Sequence, residues 1–305
     1  MDADIYDRAR GVCLAEKQFK DKQADFLYNR LAGRLLLRLF IASRLFSKLN
    51  ALPGKTKKSV QKIRPFIERY GIDTADFGDE PYESFAAFFE RKPLPGKRPF
   101  PPSPEALAAV ADSKLLVYRV GADLKINIKN NTYTAAELLR DEKAAAAFAG
   151  GLCLVFRLTV DDCHRYCYFD GGVLTGTKTI NGRLHTVGPV SAKRHRALAE
   201  NHRIVSYLRT ENFGDAAFIE VGAMLVGRIH NHGKPRFQKG EEKGYFSMGG
   251  STIVVLLGEN AARIDRDIAA YSGRGIETKV KMGEKIGEKI CRSAFTFTSR
   301  KCTPL

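Results

Sequence analysis

Residues 239–257, KGEEKGYFSMGGSTIVVLL, place the quartet Gly249-Gly250-Ser251-Thr252 between two segments that are typical of β-strands. The usual interpretation of Gly-Gly-Ser between strands is a hairpin turn. A phosphate-binding loop is disfavoured, because no Lys follows the Ser-Thr pair and no helical pattern follows the glycines. A third interpretation is chemical. The Ser251 hydroxyl lies beside the peptide carbonyl of a residue without Cβ, and it can attack that carbonyl if the fold strains the backbone.

Short alternating segments on both sides of this stretch predict a mostly β body. They are residues 115–120, 124–128, 152–160, 204–209, 217–228 and 253–257. Thr134 and Glu137 form a predicted capping box that opens a helix over residues 135–149. We therefore expect an α+β fold, in which a helical N-terminal region precedes a mostly antiparallel β body.

The Pro-rich segment KPLPGKRPFPPSPE, residues 92–105, predicts a boundary within the chain. We expect a helical N-terminal region over residues 1–92, a linker over residues 93–105 and a β-rich domain over residues 106–305. A length of 305 residues is enough for each part to bury a core.

Composition limits the classes of function. The formal net charge of +16 implies an anionic partner: nucleic acid, lipid headgroups or an acidic substrate. No segment approaches the ~20 apolar residues of a spanning helix. The N-terminal sequence MDADIYDRAR lacks the apolar segment of a secretory signal, so we expect a location inside the cell. There the six cysteines are expected to be free thiols.

Basic residues recur on one face of a predicted helix in residues 30–48. Arg30, Arg34 and Arg38 follow one another at intervals of four, and Arg44 and Lys48 resume that interval. The rest of the helix is mostly apolar. Such a helix either packs on a core or lies in a bilayer interface with its cations near lipid phosphates. Core helices are the commoner class, so periodicity alone favours a helix packed on a core.

Other candidates for chemistry are single residues. Cys163, His164 and Cys167 lie close together after a predicted strand, but no second Cys/His pair with zinc-finger spacing exists, so we expect no metal there. His164 is either catalytic or structural. Asp112 and His185 are equally open to a structural interpretation. None of these residues alone indicates a function.

The order and spacing of these segments resembles the phosphatidylserine decarboxylase family over most of the chain. The segments that carry the resemblance are FAAFFERKPLPGKRPF (85–100), ADSKLLVY (111–118), NNTYTAAELL (130–139), DDCHRYCYFDG (161–171), VGAMLVG (221–227), KGEEKGYFSMGGST (239–252) and VKMGEKIG (280–287). Asp112-Ser113 and Cys167 look most like the clostridial branch. Many members have a second histidine, in D-Y-H-R-x-H, where this chain has Cys167.

The resemblance implies a zymogen that cleaves itself between Gly250 and Ser251 into a β chain, residues 1–250, and an α chain, residues 251–305. Ser251 would become a pyruvoyl group, which forms a Schiff base with phosphatidylserine and yields phosphatidylethanolamine. The resemblance implies neither a metal nor pyridoxal phosphate. Asp112, His164 and Ser251 would form the charge relay for self-cleavage, with His185 and Cys167 as auxiliary residues.

A lipid substrate favours the membrane interpretation of Arg30, Arg34, Arg38, Arg44 and Lys48. The expected partners are phosphatidylserine, an anionic membrane surface at the cytoplasmic face, the protein's own cleaved chains and a second copy in a homodimer, with no nucleic acid. Two alternatives make different predictions. A basic nucleic-acid- or lipid-binding protein without catalysis would stay a single chain. A Cys/Ser–His hydrolase would use Cys163 or Ser251 and carry no pyruvoyl group.

Overall fold

The computed structural model describes residues 4–15, 52–78, 81–128, 131–185, 195–223, 228–247 and 251–290. The predicted arginine-striped helix over residues 30–48 lies outside the described residues. Within the described ranges, no helix is both long enough and apolar enough to pass through a bilayer.

Most of the described chain is β-strand. The strands are β1 (Asp4–Asp7), β2 (Val12–Ala15), β3 (Ala106–Ala108), β4 (Ser113–Arg119), β5 (Lys125–Ile128), β6 (Asn131–Thr134), β7 (Leu152–Leu158), β8 (Arg165–Cys167), β9 (Gly172–Ile180), β10 (Arg203–Thr210), β11 (Asp215–Gly222), β12 (Arg228–Asn231), β13 (Arg236–Phe237), β14 (Glu242–Ser247), β15 (Ser251–Leu257), β16 (Ala262–Ile264), β17 (Glu277–Val280) and β18 (Lys285–Lys289).

A ten-stranded sheet, in the order β13-β9-β10-β11-β15-β7-β4-β17-β1-β2, forms the centre of the fold. Its strand pairs are antiparallel except for β1 with β17. β15 lies between β11 and β7, and all seven of its residues are buried. A strand covered on both faces needs an uninterrupted apolar run, which explains the sequence IVVLL. The predicted α+β class with a mostly antiparallel body is confirmed.

Smaller elements cover the two faces of this sheet. On the first face, Ile253 of β15 packs in one cluster with Tyr166 and Phe246, which belong to the three-stranded sheet β12-β14-β8. On the second face, Val254 packs in another cluster with Ile126 of the β5–β6 hairpin. Successive side chains of a strand point to opposite faces, so neighbouring residues of β15 enter different environments. Burying each large apolar side chain is worth about 1.5–3 kcal/mol.

The first described residues are strands rather than helix. β1 pairs in parallel with β17, and β2 pairs with β1, so residues 4–15 extend the large sheet. Arg8 joins this hairpin to residues 265–267, with ion pairs to Asp265 at 2.8 Å and to Asp267 at 2.6 Å. This segment departs from the helical region expected over residues 1–92. The partners of this segment lie more than 250 positions away in the chain. Local periodicity within residues 4–15 therefore could not predict this pairing.

The helices are short: α1 (Ile63–Tyr70), α2 (Phe85–Phe89), α3 (Ala135–Leu139), α4 (Glu142–Ala145), α5 (Ala197–Glu200) and α6 (Arg266–Gly273), with 3₁₀ turns at Leu52–Lys55, Lys57–Lys62 and Ala146–Phe148. The capping box is confirmed, because Glu137 N donates to Thr134 Oγ1 at 3.0 Å and Thr134 N donates to Glu137 Oε2 at 2.8 Å. The single helix expected over residues 135–149 is broken instead. Arg140 adopts a left-handed φ of 48°, and the Asp141 side chain caps the next helix.

The Pro-rich segment contacts both regions that it joins. The Arg98 guanidinium forms ion pairs with Asp76 at 2.5 Å, upstream, and with Asp112 at 2.8 Å, at the start of β4. Arg91 donates to the backbone oxygen of Asp161 at 2.8 Å. These charged contacts attach the region before the linker to the β body. The division at residues 93–105 stays a prediction.

Candidate active site

Ser251 begins β15 and is fully buried. It pairs with Gly222 of β11 on one side and with Leu158 of β7 on the other. By strand alternation its side chain lies on the first face, as that of Ile253 does. The Ser251 Oγ has no hydrogen-bond partner among the described residues. A buried hydroxyl without a partner costs about 1–3 kcal/mol, and such a group calls for a functional explanation.

The chain changes sheets just before Ser251. β14 ends at Ser247 in the three-stranded sheet, and β15 begins at Ser251 in the ten-stranded sheet. The two strands are not neighbours in either sheet, so the expected hairpin turn between paired strands is wrong. Within β14, a Cβ at Gly244 would lie only 2.0 Å from the backbone oxygen of His230. The motif therefore requires glycine at that position.

His164 lies directly before β8 and is fully buried, with its ring 4.2 Å from that of Phe89. Its Nδ1 is 3.1 Å from the backbone oxygen of Asp162. Because a carbonyl oxygen can only accept, Nδ1 is the donor, and the neutral ring has its lone pair at Nε2. The His164 backbone oxygen accepts from Phe246 N at 2.9 Å, which joins His164 to the strand that leads to Ser251. This arrangement makes Nε2 the basic atom of the ring.

Asp112 is buried and bound on both carboxylate oxygens. Arg98 donates to them from Nε at 2.9 Å and from Nη2 at 2.8 Å. Met282 N also donates to Oδ1, at 2.8 Å. A bidentate guanidinium fixes the plane of a carboxylate. The predicted contact between Asp112 and His164 stays a prediction.

Burial governs the two cysteines of the predicted site. It raises the pKa of Cys163 to about 12 and that of Cys167 to about 12. Thiolate is the nucleophilic and metal-binding form of cysteine. Both thiols are therefore protonated at neutral pH, and Cys163 Sγ lies 3.5 Å from the backbone oxygen of Arg91. These environments oppose a cysteine hydrolase.

A buried charge cluster supports the segment before His164. The Lys114 ammonium donates to both carboxylate oxygens of Asp162, at 2.9 and 2.8 Å, and to Asp161 at 3.2 Å. It also bonds Thr159 Oγ1, and Thr159 N donates to Asp162 Oδ2 at 2.7 Å. Asp162 is thus occupied by an ion pair, and its role is to fix the loop that positions His164.

Replacing Lys114 by methionine is expected to lower the free energy of unfolding by about 3–5 kcal/mol, because the buried Asp162 carboxylate and the partly buried Asp161 carboxylate lose their cation. The loss should shrink as the pH falls, since protonation removes the uncompensated charge. Lys125→Met is the control, because it breaks an ion pair of 2.7 Å with Asp123 that is exposed, and it should change little. Urea unfolding of both variants in an uncut Ser251→Ala background compares them, and equal losses would contradict this account.

Sequence reasoning missed a second buried ion pair and another histidine. Lys243 of β14 donates to Glu220 of β11, and both side chains are at most 2% exposed. Glu220 pairs across the sheet with Ile253 on the first face, next to the Gly222–Ser251 pair. His230 Nε2 lies 3.0 Å from Ser247 Oγ at the end of β14. The available signal for the ion pair was the presence of Glu220 and Lys243 in segments typical of β-strands, whereas no sequence spacing indicated His230.

His185 approaches the same region through the backbone. Asn201 Nδ2 donates to the backbone oxygens of His185 at 2.7 Å and of Gly222 at 2.8 Å, and Gly222 is the partner of Ser251. Burial, with a smaller contribution from His195, lowers the pKa of His185 to about 4. The ring is therefore neutral at physiological pH. Its auxiliary role stays a prediction.

The structure thus places Ser251 at the start of β15, bonds His164 to β14, joins His185 through Asn201 to the Gly222 partner of Ser251, and binds Asp112 to Arg98. A profile of the phosphatidylserine decarboxylase family matches residues 85–288. Phosphatidylserine decarboxylase proenzyme 2 of Clostridium acetobutylicum is 54% identical over 94% of this chain and 99% of the relative. The proenzymes of Ruminiclostridium cellulolyticum and Clostridium perfringens are 38% and 36% identical, over 94% and 93% of this chain and 97% and 99% of theirs. Both the profile and the clostridial relatives confirm the resemblance, and the chain belongs to the phosphatidylserine decarboxylase family.

Proposed function

We propose that the chain is a proenzyme that cuts itself at Gly250-Ser251 and then decarboxylates phosphatidylserine to phosphatidylethanolamine. The observation that supports this most strongly is the buried Ser251 Oγ, which has no described hydrogen-bond partner at the point where the chain passes between two sheets. The family membership supports the same reaction.

Self-cleavage proceeds without an added reagent. Ser251 Oγ attacks the Gly250 carbonyl carbon, the peptide C–N bond breaks, and an ester joins the two residues. A base then removes the Ser251 α-proton, and elimination releases residues 1–250 with a carboxylate terminus. Water converts the remaining dehydroalanine into a pyruvoyl group and ammonia. Ser251 thus supplies the carbon atoms of the pyruvoyl group, water supplies its ketone oxygen, and the original Oγ leaves in the carboxylate of Gly250.

His164 is the proposed base for this sequence. Its Nδ1 is the donor to Asp162 O, so Nε2 can take the Ser251 hydroxyl proton and return it to the amide nitrogen. Asp112, held by Arg98, is the proposed relay carboxylate, and in that role it would replace Asp162 O as the acceptor from Nδ1 during self-cleavage. Burial of His164 against Phe89 keeps bulk water from the ring.

A pyruvoyl group fits the position of Ser251. The serine side chain is small, so its conversion to a ketone requires no large group to move. The conversion also breaks no described hydrogen bond of Ser251 Oγ. When present, the group supplies an electron-withdrawing ketone for loss of carbon dioxide from the substrate. After cleavage β15 stays paired along its length with β11 and β7, which supports lasting association of the α and β chains. His164 is also the proposed donor of the proton that replaces carbon dioxide.

Docking on an anionic membrane at the cytoplasmic face is part of the proposal. The Arg30–Lys48 stripe supports it, and so do exposed lysines at positions 55, 57, 58 and 62. Each basic residue near an anionic surface is worth roughly 1 kcal/mol. Flotation with anionic vesicles free of phosphatidylserine should show weaker binding after Arg34→Glu and Arg38→Glu, whereas unchanged binding would contradict the docking. A homodimer is also proposed, and sedimentation of the purified enzyme measures it.

A denaturing gel and an assay on phosphatidylserine vesicles test the function together. The wild-type protein should separate into chains of residues 1–250 and 251–305 and release carbon dioxide. A single uncut chain without activity would contradict the proposal and favour a binding protein. Uncut chain that reacts covalently with acylating reagents would favour the serine hydrolase instead.

Replacing Cys167 by alanine should leave the rate of self-cleavage unchanged, because the buried thiol is protonated at neutral pH. The rate is read from the appearance of the two chains after synthesis in a cell-free system. A large decrease, with the fold intact by circular dichroism, would show instead that Cys167 performs the role of the second family histidine.

A further inference from the structure

Two imidazoles and a carboxylate converge beside the proposed active site. Glu200 Oε2 lies 3.9 Å from His185 Nε2 and 3.5 Å from His195 Nδ1. One ligand atom from each of the three residues lies within 4.8 Å of the others. Ligand atoms of a tetrahedral zinc ion are about 3.3 Å apart, given bonds of about 2.0–2.2 Å. The two separations from Glu200 Oε2 are therefore within about 0.6 Å of a closed site, and the third is within about 1.5 Å.

The backbone holds two of these residues in a fixed relation. Asn201 bonds His185 in both directions, with His185 N donating to its Oδ1 at 2.9 Å and its Nδ2 donating to His185 O at 2.7 Å. Glu200 directly precedes Asn201, and its backbone oxygen accepts from Arg183 N at 3.1 Å. The fully buried Arg203 donates to Asn201 O at 3.0 Å. This part of the cluster is preorganised.

The Glu200 carboxylate is oriented toward the imidazoles. Its Oε1 accepts from Arg196 N at 3.3 Å, which leaves Oε2 directed at both histidines. The Arg196 guanidinium bonds both carboxylate oxygens of Glu137, at 2.8 and 2.7 Å. The Arg196 guanidinium is thus paired with Glu137 rather than with Glu200. Hydrogen bonds that orient a ligating carboxylate are typical of metal sites.

We propose that His185, His195 and Glu200 form a zinc site with three protein ligands and a fourth position for water. Two imidazoles and one carboxylate favour zinc over magnesium or calcium, which prefer oxygen ligands. The rings of His185 and His195 are stacked, with centroids 3.9 Å apart and an angle of 13°. Their lone pairs must converge for binding, so the partly exposed His195 ring turns out of the stack.

The zinc site departs from the expectation that the protein holds no metal, which rested on the spacing around Cys163 and on the family resemblance. It also has a structural consequence near Ser251. Asn201 joins His185 O to Gly222 O, and Gly222 pairs with Ser251. A bound ion therefore stabilises the end of β11 that faces the cleavage position. Zinc binding itself does not depend on self-cleavage.

Calorimetric titration of the full chain with zinc chloride tests the proposal, using protein without a histidine tag that has been treated with chelator. Wild type should bind one equivalent. Glu200→Gln and His195→Ala should each weaken binding at least about tenfold. His232→Ala is the matched control, because His232 is also 2.9 Å from a glutamate, Glu242, but is not in the three-residue cluster. It should bind zinc as wild type does.

Two further readouts separate binding from folding. Cobalt should give visible absorption bands with wild type and His232→Ala but not with Glu200→Gln. Thermal unfolding without metal should be the same for wild type and His195→Ala, and only wild type should gain stability from zinc. Wild-type affinity no tighter than that of the Glu200→Gln, His195→Ala double variant would overturn the zinc site.

Discussion

Replacing Ser251 by alanine is expected to leave the chain uncut and to abolish decarboxylation. The substitution removes the oxygen that must attack the Gly250 carbonyl, and no other described hydroxyl at this strand end lies on the same face. It also removes a buried polar atom without a described partner, so the uncut protein should be at least as stable as wild type. A denaturing gel should show one species of 33.9 kDa.

Thr252→Val is the matched control for Ser251→Ala. Thr252 is the next residue of the same strand, is 1% exposed, and has an Oγ1 without a described hydrogen bond. Its side chain lies on the second face of the sheet, because successive residues alternate. Valine has nearly the same shape, so this variant should be cut normally. Loss of cleavage in both variants would mean that the hydroxyl of Ser251 has no special role.

Replacing His164 by asparagine should slow self-cleavage by about 10²–10⁴-fold, the usual contribution of a general base. The asparagine amide can still donate to Asp162 O in place of Nδ1, so the local fold is retained while the basic Nε2 atom is lost. The rate is measured from the appearance of the two chains in a cell-free synthesis reaction.

His232→Asn is the control for this substitution, because His232 is exposed and bonds Glu242 at 2.9 Å. It should be cut at the wild-type rate. His185→Asn tests the auxiliary histidine in the same assay. Cleavage that is slow in His185→Asn and normal in His164→Asn would contradict the assignment and identify His185 as the base.

The β body could be predicted because its signals are local. The apolar run after Ser251 identifies a strand buried on both faces, and the Thr134–Glu137 capping box fixes the start of α3. The family motifs also indicated the residues around the sheet junction. The strand, the helix start and the motifs each depend on residues only a few positions apart, so the sequence alone is enough to identify them.

The rest of the fold depends on contacts between distant segments. The pairing of β1 with β17 and the bidentate bond of Arg98 to Asp112 join positions that no periodicity relates. The left-handed backbone of Arg140 interrupts a segment whose residues have high helix propensity, and summed propensities do not detect such an interruption. The ligands His185, His195 and Glu200 are 10 and 5 positions apart in the chain, a spacing unlike any finger motif. The bonds of Asn201 to His185 bring His185 beside Glu200, the residue that precedes Asn201.

The mass and chemistry of residue 251 in the active enzyme test the central claim most directly. The α chain is expected to begin with a ketone at that position. It should therefore give no residue in N-terminal sequencing and gain two hydrogens on borohydride reduction. An α chain that begins with an unmodified serine amine, in a preparation that decarboxylates phosphatidylserine, would contradict it.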